Sequence, residues 1–96
     1  MKYYRLGNSS EFIDVLHNAE KQEGGWIVPF FYGCDYFVLD NLFDIFKARC
    51  SEERGITALW SLVYRKRGEK EIPYVQVFYP MDSEIMTFDL VKEYDD

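Results

Sequence analysis

The sequence predicts an α+β domain: two helices packed on one face of a mostly antiparallel sheet that ends in a three-stranded C-terminal meander. Three observations predict it. Residues 8–19 combine a helix start signal with apolar residues at helical spacing, and residues 40–51 repeat that spacing. The last 41 residues alternate apolar and polar positions between clusters of turn residues. A chain of 96 residues fits one compact domain, taken as residues 1–96, and is long enough to bury a core without disulfides or metals.

In chain order, Lys2–Leu6 reads as a short strand broken by Gly7. Asn8 is placed to cap free helix amides, with Glu11 three residues on as its capping-box partner. Phe12, Val15, Leu16 and Ala19 then form the buried stripe of a first helix, which Gly24-Gly25 is expected to end. The centre of the molecule is Gly24–Lys47, which holds Trp26, Phe30, Phe31, Tyr32, Tyr36, Phe37, Phe43 and Phe46. It reads as extended runs Trp26–Phe31 and Tyr36–Leu39 joined at Tyr32-Gly33-Cys34-Asp35. Pro29 lacks a ladder donor and so marks an edge or a bulge. A second helix over about Asp40–Ser51 places Leu42, Ile45, Phe46 and Arg49 on one stripe, and Glu52-Glu53-Arg54-Gly55 closes it.

The meander begins with Ile56, Ala58, Trp60, Leu62 and Tyr64 alternating with Thr57, Leu59, Ser61 and Val63. It turns at Arg65–Lys70, returns over Ile72–Tyr79, and turns again at Pro80–Ser83. In the last strand Met86, Phe88 and Leu90 are expected inside and Thr87 and Asp89 in water, with a frayed acidic tail over Lys92–Asp96.

Seventeen acidic against eleven basic residues give a net charge of −6, a field that repels phosphates and anionic membranes and attracts basic partners. At 19% aromatic, a small interior is short of room for every ring, so some are expected at a surface used for binding. Met1–Arg5 leads into no apolar signal segment, so a cytoplasmic location with Cys34 and Cys50 reduced is the simpler expectation. No apolar run approaches the ~20 residues that span a bilayer.

Residue types for catalysis are few. His17 is the sole histidine and falls beside the apolar stripe of the first helix, where a solvated side chain is ordinary. Cys50 ends a helix, whose carbonyl dipole disfavours a thiolate. The carboxylate pairs Glu52/Glu53, Asp82/Glu84 and Asp95/Asp96 sit in turns or the tail. No phosphate loop, nucleophile elbow or CxxC pair is present. The expectation is therefore no enzyme, no catalytic residue, no metal and no cofactor.

The leading functional reading is a non-enzymatic protein-binding module, an inhibitor or immunity-type protein that masks a basic partner such as a nuclease, in the manner of a nucleic-acid mimic. That is the physical type of small acidic proteins in phages and mobile elements. Its acidic surface comprises Glu11, Asp14, Glu20, Glu23, Asp35, Asp40 and Asp44, and its aromatic anchors are Trp26, Phe31, Tyr32 and Tyr36. An alternative is a small ligand-binding or enzymatic domain with a pocket around Trp26, Tyr32, Tyr36 and Trp60, with Cys34 and Asp35 as its polar groups. A second alternative binds nucleic acid through the basic hairpin at residues 65–70, with Tyr64 and Tyr74 stacking on bases. Four cations on an acidic body make that footprint poor, so direct nucleic-acid binding is not expected. A two-fold homodimer through residues 26–39 is expected as one way to cover the apolar run Trp26–Phe31.

Overall fold

The computed structural model describes residues 2–52, 58–90 and 92–93. Two antiparallel sheets and two helices enclose one core. In chain order the elements are β1 (Lys2–Asn8), α1 (Ser9–His17), β2 (Glu20–Gln22), β3 (Gly25–Phe31), β4 (Cys34–Leu39), α2 (Asp40–Glu52), β5 (Leu59–Arg67), β6 (Lys70–Tyr79), β7 (Glu84–Asp89) and β8 (Lys92–Glu93). Sheet A runs β1-β5-β6-β7 and contains the expected meander; sheet B runs β2-β3-β4-β8. Residues 26–39 thus build a sheet of their own and do not join the main one.

Alternation in the meander fixes its faces. Trp60, Leu62 and Tyr64 on β5 and Val75 and Val77 on β6 point into the core, with Phe88 of β7 packed beside them. Val75 opposes both Leu62 and Phe88, which sets all three strands in one register. Met86 and Phe88 are half-buried while Thr87 and Asp89 lie in solvent, as the period of two requires. Ser61 and Val63 on the opposite face are buried too. Tyr3 of β1 stands over them, its hydroxyl accepting from Ser61 Oγ at 2.8 Å.

The first helix starts as its sequence dictates. Asn8 Oδ1 accepts the Glu11 amide at 2.9 Å, and Glu11 Oε2 accepts the Asn8 amide at 3.1 Å. Its end differs from expectation: α1 stops at His17, capped by Asn18, and Glu20–Gln22 are a strand paired with Gly25–Ile27. Between Ala19 and Trp26 no apolar side chain is available to hold another helical turn on the core, whereas β3 offers a free row of backbone groups. Glu23-Gly24 therefore turn a hairpin and do not cap a helix. That turn is tied to α2 by the Asp40 amide, which donates to the Gly24 carbonyl at 3.2 Å.

Pro29 sits next to the register shift between Pro29 and Phe31. β3 lies between β2 and β4, but β2 pairs only as far as Ile27, so Pro29 stands where one side of the strand is open. On α2 the buried residues are Phe43, Phe46 and Cys50, while Leu42 and Arg49 are half-buried and Ile45 is exposed. The stripe is rotated from the expected one because Phe43 stacks on Trp26 at 4.3 Å between centroids and Phe46 meets Phe12, Trp60 and Phe88 edge-on. Aromatic contacts chose the face. Lys92-Glu93, expected as part of a frayed tail, pair with Phe37 and Tyr36 of β4. The expected helix close at Glu53–Gly55, the strand start at Ile56-Thr57, and Val91 and Tyr94–Asp96 lie outside the described residues.

Candidate functional site

The site is built where the β3–β4 hairpin leans over one end of sheet A. Phe31 opposes Cys34, leaving Tyr32-Gly33 as a two-residue turn with Gly33 at φ +76°. Tyr4 of β1 shares the inward face with Leu62 and packs its ring 4.9 Å from Phe31. Beside them opens a cleft of about 380 Å³, walled by Tyr4, Phe31 and Tyr32, with Cys34 and Tyr64 also lining it. Lys2 and Glu71 close the rim as an ion pair at 3.3 Å.

The Tyr64 hydroxyl links the two sheets. It lies 3.2 Å from Cys34 Sγ and in hydrogen-bond contact with the hydroxyl of Tyr36. This polar chain holds β4 to β5 and gives the cleft hydrogen-bonding groups. The neighbour of the thiol is a phenol, not a base, and His17 stands exposed at the end of α1. Tyr32 extends from this framework fully into solvent.

The acidic residues are spread over α1, the β2–β3 hairpin, β4 and the start of α2. Glu11 is exposed but spends its carboxylate on the α1 cap, and Asp14 is exposed one turn on. Glu20 lies on β2, and Glu23 occupies the turn that follows it. Asp40 is joined to Lys21 at 3.0 Å, and Asp44 follows it by one turn of α2. Glu23, Asp40 and Asp44 thus gather at the β2–β3 turn, with one charge locally balanced. Asp35 lies at the far end of β4, some five residues or about 17 Å along the strand, opposite Pro29.

Of the expected aromatic anchors, Tyr32 is free and Phe31 is half-buried against Tyr4. Trp26 is half-buried on Phe43, with the Lys21 ammonium 5.7 Å above its ring. Tyr36 is 2% exposed and cannot anchor a partner, because its even position on β4 faces the core with Val38. The pocket expected from Trp26, Tyr32, Tyr36 and Trp60 does not form. Trp60 is wholly buried, stacked 4.5 Å from Phe12 with its indole N–H donated to Ser9 Oγ at 3.1 Å. The cleft uses Tyr4, Tyr64, Lys2 and Glu71 instead. Tyr4 and Tyr64 could have been found from parity, since each occupies the inward phase of its strand.

The basic hairpin forms, but its tyrosines are not available for stacking on bases. Tyr64 faces the core, and Tyr74 is buried under the Arg65 guanidinium, which lies 4.8 Å above its ring. Among the described residues no group of three or more His, Cys, Asp or Glu is set to hold a metal, and no helix is long and apolar enough to cross a membrane. No protein-family model, curated protein or solved structure matches the chain.

Proposed function

We propose that this chain is a protein-binding module without enzymatic activity, an inhibitor or immunity-type protein that masks a basic partner and contacts it through the β3–β4 tip. The observation that carries this reading is Tyr32: a large amphipathic ring held fully in solvent on a pinned two-residue turn. A tyrosine so placed contributes contact area at low entropic cost, the profile of an interface hot spot. The open cleft beside it supplies a concavity for a partner side chain, and Asp35 and the net charge of −6 steer basic surfaces toward it.

Affinity capture from the source cells, run in parallel on the wild type, Tyr32→Ala and Asp35→Lys, tests the reading. The expected result is a basic protein retained by the wild type, released by salt and depleted in both variants. Recovery unaffected by either substitution counts against it. A small-ligand reading has one observation in its favour, the 380 Å³ cleft with the Tyr64 hydroxyl and Cys34 thiol along its wall. A thermal-shift screen of small aromatic compounds against wild type and Tyr64→Phe decides for or against it.

A further inference from the structure

Sheets end in edges, and an exposed edge is a row of unpaired backbone donors and acceptors that proteins normally blunt. The four edges here are not equivalent. β2 is three residues long and β8 two. β1 is interrupted by a register shift between Arg5 and Gly7 and is flanked by the hairpin tip through the Tyr4–Phe31 contact. β7 is six residues long and pairs with β6 without a break from Tyr79–Glu84 to Tyr74–Asp89. Among the described residues nothing pairs with its outer side, and the chain beyond it leaves for β4 of the other sheet.

The side chains around this edge are suited to a partner. Ile85 is 56% exposed on the outer face of the strand, and Met81 in the preceding turn is 87% exposed. Asp82 and Glu84 lie between and beside them, both exposed. Asp89 ends the strand, but it shares a recess with Arg65 and Arg67 across β6, so the uncompensated negative charge is at the Asp82–Glu84 end.

We propose that β7 is an acceptor edge for an extended basic segment of another protein, which adds to sheet A as a fifth strand. Backbone hydrogen bonds supply the affinity, Ile85 and Met81 contact the apolar side chains of the incoming strand, and Asp82 with Glu84 select cations at one of its ends. This surface is on the opposite edge of sheet A from Tyr4 and the hairpin tip, so it is independent of the reading centred on Tyr32.

The probe is the capped peptide Thr-Val-Thr-Val-Val-Lys-Lys, whose antiparallel docking places its lysines against Glu84 and Ser83. Hydrogen exchange of the whole protein should show added protection within residues 84–89 and none at residues 31–34. Methylating alternate backbone nitrogens of the peptide should weaken binding by about tenfold or more, and Tyr32→Ala should leave it unchanged. The double variant Asp82→Lys with Glu84→Lys should reverse the preference toward the same peptide ending in Glu-Glu. Absence of protection at 84–89 overturns the proposal. So does equal binding of the methylated peptide, which is what non-specific charge attraction alone gives, or a preference that the double variant leaves unmoved. Loss of partner capture on Tyr32→Ala with no peptide protection at 84–89 removes this inference and leaves the proposed function standing.

Discussion

The β3–β4 and β5–β6 hairpins both end in two-residue turns and present opposite chemistry. Each places a glycine at positive φ in its turn, Gly33 at +76° and Gly68 at +65°. Each carries tyrosine and charge close by. On β3–β4 the ring is in the turn, so Tyr32 belongs to neither face of a sheet and stands in water. On β5–β6 the rings are in the strands, where Tyr64 points into the core and Tyr74 lies beneath Arg65. That leaves the β5–β6 turn with charged side chains and no available ring, and the β3–β4 turn with an aromatic ring beside a cleft. Whether an aromatic is available to a partner depends on its place relative to the pleat, and proximity to a loop is a poor guide.

The largest expected effect lies at the root of the β5–β6 hairpin. Trp60→Ala removes a fully buried indole stacked on Phe12 and should cost about 3–5 kcal/mol in urea unfolding. A loss below about 1 kcal/mol contradicts the packing described. Next is Tyr64→Phe, which keeps the ring but removes the hydroxyl joining Cys34 and Tyr36. It should cost about 1–2 kcal/mol, because the hydrogen bonds this hydroxyl makes between the two sheets are lost.

Both turn glycines should resist substitution. A Cβ at either Gly33 or Gly68 meets nothing within 4 Å, so Gly33→Ala and Gly68→Ala should each cost about 1–2 kcal/mol from backbone strain alone. No loss in either variant contradicts the positive φ of its glycine. The smallest effect separates binding from folding: Tyr32→Ala and Lys66→Ala should both stay within about 0.5 kcal/mol of the wild type. A markedly destabilised Tyr32→Ala places the ring against the cleft wall and withdraws it as a free contact.

Local patterns carried much of the fold. Asn8 and Glu11 specify a helix start through hydrogen bonds confined to four consecutive residues, and the alternation from Trp60 to Leu90 specifies three strands and their inward faces. A hairpin after Phe31 was visible for the same reason, but Cys34 and Asp35, expected in its turn, are already strand, paired with Phe31 and Pro29. Net acidity and the scarcity of histidine were read directly and do not depend on folding.

Pairing between distant segments decided the rest. Glu20–Gln22 carry no strand pattern and are extended because β3 lies alongside them. Residues 26–39 form a second sheet because Phe12, Phe43 and Phe46 fill the space between it and β5. Tyr36 was removed from the candidate surface, and Tyr4 and Tyr64 were added to it, by the registers that fix which face each side chain takes. Those registers join residues up to 62 positions apart, as Lys2 and Tyr64 are. Sequence periodicity gives the phase of each strand, but only the packed structure sets which strands meet and what remains exposed between them.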